Sequence, residues 1–217
     1  MNFKRARFNM VEQQIRTWEV LDQRVLDAIR QTPREDYVPD AFRKLAYADA
    51  SIPLEEGQVM MPPRIEARLL QSLQLDPNDY VLEIGTGSGY LTALLAQLAG
   101  RVISVEISES LAARARTALE AHRVQNVALE IGDAIHGWER KGPYDAIAVT
   151  GSVPVLEDHF QRQLKIGGRL FVIVGQAPVM EALLITRMSR SDWSTDSLFE
   201  TVIPPLRGAK QPERFVL

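Results

Sequence analysis

The sequence predicts an α/β fold: a Rossmann-like three-layer α/β/α sandwich on a mostly parallel seven-stranded sheet, with an antiparallel C-terminal strand and an N-terminal helical elaboration. Two observations carry this. From Asp79 onward short apolar runs alternate with helical periodicity, the pattern of parallel strands covered on both faces by crossover helices. At the head of that region Val81-Leu82-Glu83-Ile84 runs into Gly85-Thr86-Gly87-Ser88-Gly89 and then into a helical pattern from about Tyr90. A strand, a tight turn and a helix start follow one another there, and the helix offers unpaired N–H groups beside the turn.

The elements follow in chain order. Residues 1–50 read as helices: Val11, Ile15 and Trp18 recur at helical spacing, and Asp22 is placed to cap a helix through Val25, Leu26 and Ile29. Thr32-Pro33 and Val38-Pro39 punctuate this segment, and Phe42, Leu45, Ala46 and Tyr47 make a short amphipathic piece. The stretch Ile52 to Pro63 is a loop rich in restricted backbone, and Pro63 opens a helix through Ile65, Ala67, Leu69, Leu70 and Leu73. Strands are expected at Tyr80–Ile84, Val102–Ile107, Val127–Ile131, Tyr144–Thr150 and Arg169–Val174. Helices are expected at Leu91–Leu98, closed by Gly100, then through Leu111, Ala115 and Leu119 with Ser108 as N-cap, and up to Leu164. Two last strands near Glu181–Met188 and Phe199–Ile203 are expected to run against the others. One domain spans 1–217, with 1–76 as helical cap and substrate loop and 77–217 as core.

Composition narrows the function classes. The 217 residues are 46% apolar and 24% charged, as in an ordinary globular chain. A net charge of −3 gives no pull toward nucleic acid. The chain has no cysteine, which excludes disulfides and thiolate metal sites. Its histidines, His122, His136 and His159, lack ligand-like spacing, so no metal is expected. No run reaches the ~20 apolar residues of a membrane span, and Met1 to Arg7 leads into no apolar signal segment. A cytoplasmic location follows by default; the oligomeric state is not legible.

In such folds the ligand lies beyond the carboxyl ends of the strands, which puts the glycine turn, Glu106 and Ile107, the loop Gly132-Asp133-Ala134 and Thr150 on one rim. A dinucleotide fingerprint wants G-x-G-x-x-G, whereas this turn reads G-x-G-x-G with Tyr90 in the last position. Glu83 beside the turn repels a pyrophosphate and suits a ligand bearing an ammonium and a sulfonium. Glu106 is placed for ribose hydroxyls and Asp133 for an adenine amino group. The cofactor favoured is therefore S-adenosyl-L-methionine, with Glu83, Ile84, Gly85, Thr86, Gly87, Ser88, Gly89, Glu106, Ile107, Gly132, Asp133, Ala134 and Thr150 as its binding residues.

Val81 to Tyr90 resembles the first motif of class I methyltransferases, specifically of protein-L-isoaspartate O-methyltransferases. Arg24 to Ile29, Pro33-Arg34, Tyr37-Val38-Pro39, Ala46 to Asp49, Gly57-Gln58, Gly132-Asp133, Tyr144 to Ile147, Leu164 to Leu170 and Leu183 to Thr186 are similar to further stretches of that family in the same order. The resemblance implies methyl transfer from S-adenosylmethionine to the free carboxylate of an isoaspartyl residue in a protein or peptide, a repair reaction. One segment departs. The family reads Gly-Gln-Thr-Ile-Ser, and here Gly57-Gln58 is followed by Val59-Met60-Met61. Met61 stands in the place of the family's active-site serine, and a thioether donates no hydrogen bond. Val59, Met60 and Met61 are thus the candidate catalytic-loop residues. Two alternatives stay open: a methyltransferase for a more apolar small molecule, and a non-catalytic S-adenosylmethionine-binding protein.

Overall fold

The computed structural model describes residues 2–212. The chain opens with α1 (Phe3–Met10), which continues as wider and tighter helical turns to Trp18, and α2 (Gln23–Gln31). The Asp22 carboxylate caps α2 by accepting the Arg24 N–H at 2.8 Å. A two-stranded hairpin, β1 (Ile52–Pro53) with β2 (Val59–Met60), precedes α3 (Pro63–Leu73), in which Pro63 occupies the first turn. The sheet strands are β3 (Tyr80–Ile84), β4 (Arg101–Glu106), β5 (Val127–Ile131), β6 (Tyr144–Val153), β7 (Leu164–Gln176), β8 (Val179–Arg187) and β9 (Trp193–Thr201), with α4 (Tyr90–Leu98), α5 (Glu109–Ala121) and the single turn α6 (His159–Arg162) between them.

The sheet order is β5-β4-β3-β6-β7-β8-β9. Strands β5 to β7 pair in parallel, and β8 is antiparallel to both neighbours. Only β8 is therefore reversed; β9, expected to run against the sheet, points with the parallel set because two successive hairpins restore direction. The chain crosses from β5 over β4 and β3 to β6, so the switch point lies at the carboxyl end of β3.

Both sheet faces are buried. Val81, Ala146, Ala148 and Phe171 join one core with α1, α2, α3 and α4, and Leu82, Ile147, Leu170 and Val172 join a second core on the other face. The N-terminal helices thus share a core with the sheet.

Boundaries differ from the sequence reading where another force sets them. Strand β7 begins at Leu164, five residues earlier than expected, and its pairing with β6 is interrupted by register shifts. Strand β9 lies upstream of the expected Phe199–Ile203 because it is an edge strand without a fully buried side chain, so its periodicity is faint. Gly100 does not end α4 by a left-handed turn. It follows the cap Ala99 and is required by close approach, since a Cβ there would lie 2.8 Å from the Pro77 carbonyl oxygen.

The Asn126 side chain ties this corner together, donating to the carbonyls of Ala96 and Ala99 at 2.9 and 3.1 Å. Asn126→Ala is expected to lower stability by about 1 kcal/mol, read as a lower urea midpoint with an unchanged slope.

Candidate active site

The glycine turn is tight for identifiable reasons. Gly85 has φ +93°, and a Cβ there would collide with the Thr150 hydroxyl. That hydroxyl sits 2.9 Å from the Ile84 carbonyl oxygen and 2.7 Å from that of Gly85, donating to the turn's backbone. Gly89, at φ +82°, brings the start of α4 against α5, its would-be Cβ lying 3.2 Å from Ala115 Cβ. Between them the Gly87 N–H donates to Glu106 Oε2 at 2.8 Å, and the Ser108 N–H donates to Glu106 Oε1 at 3.0 Å. Each Glu106 oxygen keeps acceptor capacity beyond these bonds.

A cleft opens over this turn. Of the residues expected from sequence it is lined by Val59, Met60, Met61, Ile84, Gly85, Thr86, Gly87, Ser88, Glu106, Ile107, Gly132, Asp133, Ala134 and Thr150. Met60 and Met61 are each 4% exposed and belong at once to the core and to the cleft wall, so the packing and site readings coexist. Asp133 Oδ1 accepts the Ile135 N–H at 2.9 Å, which fixes the side chain on the rim.

Glu83 and Gly89 are not part of that lining. Glu83 is fully buried: its Oε2 accepts the hydroxyls of Thr92 and Ser104, each at 2.6 Å, and Oε1 has no partner. Burial pushes its carboxyl up to about 8, against the two hydroxyl bonds that favour ionisation. Its side chain occupies the layer between β3 and α4, so it does not face a ligand's cationic group as expected. Thr86 on the cleft wall bonds Ser104 at 2.5 Å, which links Glu83 to the cleft at one remove.

Several lining residues escaped the sequence reading. Leu54, Glu66 and Leu91 are among them, with Ile203, Pro204, Leu206 and Arg207 of the tail. The tail crosses the sheet's end through hydrogen bonds joining Ser152 to Pro204 and Leu206 at 3.0 and 2.9 Å; residues 213–217 lie outside the described set. Glu56 joins the hairpin loop to both neighbours of the mouth, accepting from Ser108 Oγ at 2.7 Å and pairing with Arg207 at 2.5 Å.

Glu66 had a sequence signal: with Leu69, Leu70 and Leu73 it shares the buried face of α3, where a carboxylate is out of place. It forms an ion pair with the fully buried Arg34, and desolvation still pushes its carboxyl up to about 7. Arg34 also donates to the Met61 carbonyl at 2.7 Å and lies 4.6 Å from the centroid of the Tyr90 ring. Two histidines separated in sequence also meet: His136, Glu157 and His159 bring one ligand-type atom each within 4.8 Å of one another, while Glu157 accepts from Lys210 at 3.0 Å.

A glycine turn at the switch point of a mostly parallel sheet, an acid at the end of the next strand and a cleft joining both define a class I methyltransferase architecture. Comparison with known proteins agrees. The family described as protein-L-isoaspartate(D-aspartate) O-methyltransferase matches residues 5–210. The chain is 41% identical to protein-L-isoaspartate O-methyltransferase 1 of Pelobacter propionicus, over 96% of this chain and 98% of that one. It is 43% identical to the protein-L-isoaspartate O-methyltransferase of Syntrophus aciditrophicus, over 86% of each. A solved protein-L-isoaspartate O-methyltransferase superposes with a TM-score of 0.81 at 26% identity, covering 93% of this chain and 66% of that one. The chain belongs to the protein-L-isoaspartate(D-aspartate) O-methyltransferase family, whose members are S-adenosylmethionine-dependent methyltransferases.

The raised Glu83 carboxyl has a signed consequence. Below about pH 4.5 it is protonated folded or unfolded; between there and about pH 8 only the folded chain keeps the proton, so its contribution to stability falls as pH rises. Glu83→Gln removes that slope. The melting temperature of the variant minus that of the unaltered chain is expected to rise between pH 5 and pH 8; a difference independent of pH would mean that Glu83 ionises normally.

Proposed function

We propose that this protein methylates the free carboxylate of isoaspartyl residues in proteins or peptides, the first step of repairing a damaged peptide linkage. The observation that carries this reading is the meeting of the glycine turn and Glu106 with Val59, Met60 and Met61 around one cleft. Donor and acceptor loops of the family thereby face a shared space.

The chain's residues fit the donor. Glu106 is held open by two backbone N–H groups and retains acceptor capacity for the ribose hydroxyls. Asp133, fixed on the rim through Oδ1, offers its other oxygen to the adenine amino group, with Ile107, Gly132 and Ala134 beside it. Gly85, Thr86, Gly87 and Ser88 line the approach to the end of β3 without bulk. S-adenosylmethionine supplies a methyl group on a sulfonium, an electrophile that needs no metal or base from the protein when the acceptor is a carboxylate ionised at neutral pH. The task left to the chain is alignment in a dry cleft, an effect worth up to about 7–11 kcal/mol in favourable cases.

Met61 bears on that alignment. Its side chain gives the acceptor no hydroxyl, but its carbonyl is fixed by Arg34 at 2.7 Å, so the loop backbone is positioned. One missing orienting bond costs about 2–4 kcal/mol by analogy with the loss of one oxyanion donor, which slows turnover and leaves the chemistry in place. A second reading, methylation of a more apolar small molecule, is favoured by the thioethers of Met60 and Met61 in the cleft wall.

We further propose that residues 1–217 act as one domain, with 1–76 forming the cap and acceptor loop. A cytoplasmic setting is in keeping with the absence of cysteine, and among the described residues no helix is long and apolar enough to cross a membrane.

Incubation with methyl-tritiated S-adenosylmethionine and an isoaspartyl peptide is expected to yield base-labile label released as methanol. No label above a heat-killed control, with donor binding intact, would sink the isoaspartyl reading and leave the apolar-acceptor reading. Met61→Ser is expected to raise kcat/KM for the isoaspartyl peptide by about ten-fold or more; an unchanged value would show that the loop does not orient the acceptor through this position.

A further inference from the structure

The donor's amino-acid end carries an ammonium group, and a cleft that holds it needs an acid on its wall. Glu83, the acid nearest the turn in sequence, is not available. Thr92 and Ser104 occupy one of its oxygens, the other is sealed from solvent, and the residue is absent from the cleft lining. Freeing it would require opening the layer between β3 and α4.

We infer that Glu66 takes the ammonium group of the donor's amino-acid end, an assignment that rests on the methyltransferase reading above. Glu66 reaches the cleft wall from the first turn of α3, the helix that begins just after Met61. Helix α3 packs on β7, on the far side of β3 from β4 and β5. Glu106 ends β4 and Asp133 follows β5, so a donor with its nucleoside end on those two acids extends its amino-acid end toward α3. Arg34 engages Glu66 through Oε2, and no described donor reaches Oε1.

The surrounding charges favour a cation. Glu66 and Glu106 both lie close enough to Glu83 to raise its cost of ionisation. Arg34 pairs with Glu66 and also serves the Met61 carbonyl, and Tyr90 on the same side stays neutral because burial lifts its phenol above the usual range. An ammonium group entering beside Glu66 adds a second cationic partner to a buried carboxylate whose one paired cation, Arg34, is shared with the Met61 carbonyl.

Calorimetry with two ligands isolates the contact: S-adenosylhomocysteine, which carries the ammonium, and 5′-methylthioadenosine, which keeps the nucleoside and thioether but lacks the amino-acid end. In Glu66→Gln, affinity for S-adenosylhomocysteine is expected to fall about ten-fold or more, the scale of a lost charged hydrogen bond, with affinity for 5′-methylthioadenosine unchanged. Because Glu66→Gln leaves Arg34 buried and unpaired, the double variant Arg34→Met with Glu66→Leu provides a folded control, and the same selective loss is expected there. Equal binding of S-adenosylhomocysteine by either variant and the unaltered chain overturns the assignment. Equal weakening of both ligands also overturns it, by showing that Glu66 acts only through the fold. An unaltered chain that binds neither ligand overturns the methyltransferase reading itself, and this assignment with it.

Discussion

At the end of β3 the backbone passes between the Thr150 hydroxyl and the Glu106 carboxylate, and there is no space for a side chain at Gly85. Much of the site follows from that passage. Thr150 is consumed in holding the turn, Glu106 is aimed by the Gly87 and Ser108 N–H groups, and Gly89 lets α4 start in contact with α5. A carboxylate receiving two N–H bonds has one orientation instead of several, so the strand-end acid is preorganised before any ligand arrives. The hairpin loop is tied to the same turn, since Leu54 sits 3.4 Å from where a Gly87 Cβ would be.

Behind the turn lies a second constraint, the burial of more acid than base. Glu83 and Glu66 are both almost wholly removed from water, with Arg34 the cation paired to the latter. Such an arrangement is costly to the folded chain, because two carboxyls are pushed toward or past neutral pH by desolvation. Sites that bind cations keep such costs because the ligand relieves them. The Arg34 contact with the Met61 carbonyl gives the same network a second task, fixing the loop that the acceptor must meet.

The fold was largely legible in the sequence because parallel strands buried on both faces leave continuous apolar runs, as at Val81–Ile84 and Val127–Ile131. The glycine turn, Glu106 and the 132–134 loop were legible because strand ends in this architecture converge on one rim. The direction of β9 was not, since a half-exposed edge strand carries little periodicity and its sense is set by the hairpin before it. Glu83 was misread for a related reason: sequence fixes its distance from the turn but not which side of the strand it occupies, and alternation sends it under α4. Arg34 and Glu66 are separated by 32 positions, so their pairing existed only in three dimensions, although a lone carboxylate on the apolar face of α3 pointed to some buried partner.

The loop from Val59 to Met61 is where the local and global demands on the chain diverge. Val59 and Met60 pair with Pro53 and Ile52, and Met60 and Met61 are packed into the same core as the N-terminal helices. A serine at position 61 would bring a hydroxyl into a setting that is 4% exposed, tolerable only with a hydrogen-bond partner, which in this cleft would be the acceptor itself. Methionine removes that cost and contributes packing, at the expense of one orienting contact to a substrate whose chemistry needs orientation above all. The backbone compensates in part, because Arg34 holds the Met61 carbonyl whichever side chain the position carries. Loop stability and acceptor alignment are therefore traded at a single side chain, while the donor half of the cleft, built on Gly85, Gly87 and Glu106, is untouched by the exchange.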